Sequence, residues 1–130
     1  MRGIHHVGVA VRDLDEAIET YGRLFGAELE HRDTMSEQGV EAAAVRVGDS
    51  RIELLAATGA DTPVGRFLAK RGPGMHHVAF EVDDLAAALA GQKVIIEPNS
   101  PSRGVLVAFV EVKGAPVELM QIDHEVRPDL

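Results

Sequence analysis

Between Ile4 and Val11 the side chains follow a two-residue period: His5, Val7, Val9 and Val11 share one side of an extended strand, and His6, Gly8 and Ala10 share the other. After Asp13 the pattern becomes helical to about residue 25. Asp13 is placed as its cap, Asp15, Glu16 and Glu19 lie on its solvated side, and Tyr21 turns toward the core. Strands are predicted around 28–34, 41–47 and 51–57, with Gly26, Gly39 and Gly48 at the breaks. A linking helix spans Thr62 to Lys70, since Thr62-Pro63 supplies a cap with proline at the first helical position and Gly72-Pro73-Gly74 ends it. A strand at 76–82, a short helix and strands near 93–97, 105–112 and 116–122 complete the chain, with Asn99 to Gly104 read as a loop.

The pattern occurs twice. Ile4-His5-His6-Val7-Gly8-Val9-Ala10-Val11 matches Met75-His76-His77-Val78-Ala79-Phe80-Glu81-Val82 at an offset of 71, and Asp13-Leu14 falls on Asp84-Leu85 at the same offset. The closing strands, Arg51-Ile52-Glu53-Leu54-Leu55 and Pro116-Val117-Glu118-Leu119-Met120, are offset by 65. The second copy has therefore lost about six residues, which its helix can supply, because Asp84 to Gly91 is shorter than Asp13 to Gly26. The expected organisation is a first module over 1–60, a linking helix and loop over 61–74, and a second module over 75–130, packed as one domain.

Composition narrows the function. A chain of 130 residues that is 45% hydrophobic can bury a core, so intrinsic disorder is excluded. Thirteen Lys and Arg against 21 Asp and Glu give a net charge of −8, which repels a phosphate backbone and argues against a nucleic-acid partner. No apolar run reaches membrane-spanning length, and no leader-like apolar core follows Met1-Arg2-Gly3, so a cytoplasmic protein without a membrane partner is expected. With no cysteine, any metal must be held by His, Asp, Glu or Gln.

Strand alternation then singles out one face. Ile52 and Leu54 lie opposite Glu53, and Val117 and Leu119 lie opposite Glu118. If the helices cover the bulky apolar side, the other side collects His6, Glu53, His77 and Glu118, beside Gly8, Ala10 and Ala79, whose small size leaves room for a ligand. Each of these four alone would read as an ordinary hydrogen-bonded sheet residue. Their recurrence in the same order in both modules points to one duplicated site. Two imidazoles and two carboxylates suit divalent Co, Mn, Ni, Zn or Fe, with coordination positions left for substrate. His5 and His76 fall on the helix side as satisfied buried histidines, and Met120 borders the site.

At these residues the chain resembles the vicinal oxygen chelate superfamily, and within it the methylmalonyl-CoA epimerase branch. The resemblance is carried by His5-His6-Val7-Gly8-Val9-Ala10-Val11, Glu37-Gln38-Gly39-Val40, Ile52-Glu53-Leu54-Leu55, Phe67-Leu68-Ala69-Lys70-Arg71-Gly72, the stretch Gly74 to Asp84, and Val117-Glu118-Leu119. It implies an α+β fold of two tandem βαβββ modules forming an open, cupped mixed sheet with helices on its outer face. It also implies the same four ligands: His6, Glu53, His77 and Glu118.

For activity, the resemblance implies epimerisation at the carbon between a thioester and a carboxylate of an acyl-CoA, most simply methylmalonyl-CoA. A divalent ion would stabilise the enolate, and Glu118 would serve as one catalytic base. The family's second glutamate base falls on Ala42, leaving its neighbour Glu41 as the candidate, on the other side of that strand. Asn99 to Gly104 and Glu111-Val112-Lys113 replace a glycine-rich loop and a His-Pro-Lys turn, so another thioester stays open. Lys70, Arg71 and Arg103 are candidates for coenzyme A phosphates, and a homodimer is implied. The alternatives are a lactoylglutathione lyase-like isomerase and a metal-free, drug-sequestering protein of the same fold; aromatics of only 4% count against the latter.

Overall fold

A computed structural model describes residues 1–126, with Glu37 described by its backbone alone; 127–130, the end of the expected second module, lie outside the described residues. The elements are β1 (Gly3–Ala10), α1 (Leu14–Phe25), β2 (Glu28–Met35), a 3-10 turn (Ser36–Gln38), β3 (Val40–Val47) and β4 (Ser50–Ala57), then α2 (Pro63–Arg71), β5 (Gly74–Glu81), α3 (Leu85–Leu89), β6 (Lys93–Ser102), β7 (Val105–Val112) and β8 (Ala115–Ile122). Two compact units share the chain: Val7–His76 form one, and Met1–His6 with the chain from His77 onward form the other.

In the unit of Val7–His76 the strands run in the order β2-β3-β4-β1. Strands β1 and β4 are parallel, pairing Gly8 with Glu53 and Ala10 with Leu55, while β3 joins β2 and β4 antiparallel. Helix α1 starts where Asp13 accepts the Glu16 N–H at 3.0 Å, and it stops at Gly26, whose φ of 67° a residue with a side chain would resist. Its Leu14 and Ala17 pack on Ala43, Val45, Leu54 and Ala56, with Val9, Ile18, Tyr21 and Ile52 around them. The opposite sheet face, Ala10, Val40, Ala42 and Leu55, is covered by Val64 and Leu68 of α2. Ala10, expected beside open ligand space, is instead fully buried in this cluster.

Helix α2 enters through Thr62, whose hydroxyl accepts the Gly65 N–H at 3.0 Å, followed by Pro63. A Cβ on Gly65 would stand 2.4 Å from the Gly59 carbonyl oxygen and 2.7 Å from that of Ala60, both backbone atoms that cannot swing away. Gly65→Ala is therefore expected to cost about 2 kcal/mol, despite alanine's better helix propensity. Urea unfolding reads this directly, and unchanged stability would mean that the 59–60 loop yields freely.

In the other unit the order is β5-β8-β7-β6. Strands β5 and β8 are parallel, with Ala79 beside Glu118, and β7 and β8 form an antiparallel hairpin closed by Lys113 and Gly114 at φ of 52° and 84°. Two successive positive φ values give the turn whose twist matches paired strands. Helix α3, capped by Asp84, has five residues against twelve in α1, so the residues missing from the second copy did come from its helix. Leu85 packs with Val82, Ala108, Val110 and Leu119 on that side, while Ala79, Val105, Val107 and Met120 form a cluster on the other. Among the described residues no helix is long and apolar enough to cross a membrane.

Strand β6 departs from expectation by continuing through Ser102, where a loop from Asn99 was predicted. Its ladder with β7 shifts register three times, between Val94 and Ile96, Ile96 and Asn99, and Asn99 and Ser102. Such bulges accommodate Pro98 and Pro101, which have no N–H to give, and they bring Ile96, Asn99 and Ser102 opposite Phe109, Val107 and Val105.

Candidate metal centre

Alternation along β1, β5 and β8 brings three of the expected donors together inside one unit. His6, His77 and Glu118 are the polar or charged residues found buried among those described. The Glu118 Oε1 atom lies 3.1 Å from His6 Nε2 and 3.2 Å from His77 Nε2, and the two nitrogens are 3.2 Å apart. Three lone-pair-bearing atoms in a near-equilateral triangle repel one another unless a proton or a cation sits among them.

The donor set fits a divalent ion. Ligands bound at right angles about 2.1 Å from one ion lie about 3.0 Å from each other, which is close to all three observed edges. Nitrogen and oxygen donors without sulfur favour an ion that keeps further positions open.

Burial pushes the Glu118 carboxyl upward, but hydrogen bonding with His6 and His77, together with their charge, outweighs it and holds the group at about 2. Glu118 is therefore a carboxylate at neutral pH. Beside it in the β5–β8 register stands Ala79, and opposite it on β7 stands Phe109, whose ring meets His77 edge to face with centroids 5.2 Å apart. Met120, on the Glu118 side of β8, is buried as well.

Glu53, the fourth expected ligand, belongs to the other unit. It is half-buried on β4, registered between Gly8 of β1 and Ala44 of β3. It shares the strand side of Leu55, the side that α2 covers further along.

Glu41, the candidate second base, is tied into an ion-pair network. Its Oε2 receives a bond from Arg32 Nη2 at 3.2 Å, and Nη1 of the same guanidinium holds Asp15 of α1. Being next to Ala42, which packs under α2, Glu41 lies on the α1 side of β3 and so opposite the side of Glu53. The sequence indicated this reversal through alternation but could not supply the Arg32 partner.

His5 and His76 are half-buried rather than enclosed. The His76 ring stands edge to face on Phe67 of α2, with centroids 5.0 Å apart. His5 reaches its neighbour, its Nδ1 lying 2.8 Å from His6 Nδ1, a contact that the His-His doublet carried without revealing. Lys70, Arg71 and Arg103 are exposed.

The model of the glyoxalase/bleomycin resistance protein/dioxygenase superfamily matches residues 5–93. Ethylmalonyl-CoA/methylmalonyl-CoA epimerase of Cereibacter sphaeroides is 34% identical over 130 residues, a match covering 92% of this chain and 97% of that one. Human mitochondrial methylmalonyl-CoA epimerase is 37% identical over 91 residues, which is 69% of this chain and 52% of that protein, so the match spans about half of the longer relative. Among solved structures, a Streptomyces coelicolor methylmalonyl-CoA epimerase in complex with 2-nitronate-propionyl-CoA superposes with a TM-score of 0.86 at 35% identity, covering 94% of this chain and 98% of that one.

Proposed function

We propose, from the premise that this chain belongs to the glyoxalase/bleomycin resistance protein/dioxygenase superfamily, that it is an epimerase moving the α-proton of an acyl-CoA thioester, with methylmalonyl-CoA as substrate. The observation that carries this reading is the triangle of His6 Nε2, His77 Nε2 and Glu118 Oε1, with edges of 3.1–3.2 Å. The epimerases that resemble the chain over more than nine-tenths of its length support the substrate class.

His6, His77 and Glu118 are the residues that would hold the ion. A divalent ion bound there supplies Lewis acidity toward a substrate oxygen, easing charge development when the α-proton leaves. Glu118 takes that proton on one face with the carboxylate oxygen not directed at the imidazoles, and the electron pair remains on the substrate as an enolate. A second proton, delivered to the opposite face by a water molecule, inverts the centre, and Glu118 then releases the first proton to solvent. Buried Ala79 and Met120 and half-buried Phe109 give Glu118 a largely apolar flank.

Glu41 has no part in the proposed chemistry. Glu41→Gln should lose only the Arg32 bond on an exposed ion-pair network, so exchange is expected to stay within about threefold of wild type. A loss of several hundredfold would return Glu41 to the catalytic set. Homodimeric assembly, which the family resemblance implies, and a cytoplasmic setting complete the proposal.

The deciding experiment is deuterium wash-in at the α-carbon of methylmalonyl-CoA in heavy water. It compares cation-stripped protein, protein with cobalt, and cobalt alone. Exchange that needs both protein and cobalt is expected. No exchange in any arm would discard the acyl-CoA reading.

A further inference from the structure

The bond between adjacent histidines on β1 is not explained by the three converging donors, yet it bears on one of them. His5 Nδ1 and His6 Nδ1 are 2.8 Å apart, and the two rings meet edge to face with centroids 5.1 Å apart at 80°. Two ring nitrogens at that distance share a single proton, so one ring donates and the other accepts.

The other nitrogen of His6 decides which. Nε2 is the atom directed at Glu118 Oε1 and His77 Nε2. A neutral imidazole carries its proton on one nitrogen only; to offer a lone pair at Nε2, His6 must carry it on Nδ1. We propose that His5 is a positioning residue for the metal centre, accepting the Nδ1–H of His6 and thereby fixing both the ring plane and the tautomer that leaves His6 Nε2 free to ligate.

The inference rests on the reading of His6 as a ligand and deepens it. In the opposite tautomer the same chain of bonds runs backward: His5 Nδ1–H donates to His6 Nδ1, and His6 Nε2–H donates to Glu118. That arrangement satisfies the buried carboxylate without an ion. His5 can serve as acceptor in one state and donor in the other, which an aspartate or a backbone carbonyl at that place could not do. Ligating histidines held by a partner at the second nitrogen bind metal more tightly because the ring need not be oriented on binding.

The test titrates Co²⁺ alone into full-length, cation-stripped protein, with affinity read by competition against a chromophoric chelator and the fold checked by thermal unfolding. His5→Phe keeps ring bulk and removes the acceptor; Co²⁺ affinity is expected to fall about 10–100-fold. His5→Asn restores an acceptor near the Nδ1 position and should recover affinity to within about fivefold of wild type. Should the Phe variant not fold, His5→Leu makes the same comparison. In Zn²⁺-loaded wild type, long-range ¹⁵N NMR should place the His6 proton on Nδ1 and show that proton hydrogen-bonded; in His5→Phe the hydrogen-bond shift should vanish.

Wild-type Co²⁺ affinity in a folded His5→Phe or His5→Leu protein would overturn the inference and leave the metal centre standing. Failure of the wild-type protein itself to bind Co²⁺ would overturn the metal reading and the inference together.

Discussion

Glu118→Gln is expected to lower α-proton exchange on methylmalonyl-CoA by about 10³-fold or more. The substitution keeps the side chain's shape and one oxygen but removes the negative charge, and two separate functions depend on that charge. As a general base the carboxylate contributes about 10²–10⁴-fold, and an amide cannot take up a proton at neutral pH. As a ligand it meets both imidazole nitrogens through Oε1, and a neutral amide oxygen holds a divalent ion far less well. Measuring cobalt content beside the deuterium wash-in separates the roles. A variant that retains cobalt but not exchange isolates the base, whereas one that loses both places the first defect in ligation. Exchange within tenfold of wild type would remove Glu118 from the mechanism. The carboxyl sits at about 2, so the wild-type carboxylate stays ionised throughout the neutral range and exchange should have no acid limb from this group there.

Leu54→Ala is the largest expected stability effect. Leu54 is fully buried beneath α1, among Leu14, Ala17, Ala43, Val45 and Ala56. Several of these neighbours are alanines with no side chain long enough to swing into the gap, so the cavity should persist. Truncation is expected to cost about 3–4 kcal/mol, the upper part of the range for buried leucines. Set against a total of about 5–15 kcal/mol for a domain, that is a substantial part of the reserve. The urea midpoint measures it, and a loss under about 1 kcal/mol would mean that α1 settles onto the sheet and closes the space. Leu54 points to the α1 side of β4 while Glu53 points to the other, so the folded fraction should keep its exchange rate.

Much of the architecture was legible along the chain because its signals are local. Two-residue alternation marked β1, β4, β5 and β8, and Asp13, Thr62 and Asp84 each stand where a side chain accepts an N–H of the first helical turn. The repeat at an offset of 71 carried more still, since a second copy with a truncated helix predicted the five-residue α3. Where the sequence misled, the partner was distant. Asn99-Ser100-Pro101-Ser102 has loop composition, yet β7 supplies a ladder that holds it extended through three register shifts. Ala10 is small and on the expected ligand side, yet α2 folds over it.

The candidate centre divides in the same way. By itself the sequence determined which side of each strand His6, His77 and Glu118 occupy, because alternation is a property of the backbone of a single strand. Only the tertiary structure decided that their Nε2, Nε2 and Oε1 atoms meet within 3.1–3.2 Å, because side chains on different strands are brought together by strand pairing, as β5 registering on β8 does for His77 and Glu118. Tertiary structure likewise assigned Glu41 to Arg32 and joined His5 to His6, since ion pairing and ring rotation depend on neighbours and torsions that alternation does not encode. Period fixes the face a side chain takes; its chemical partner is fixed by strand register and by the rotamers that packing allows.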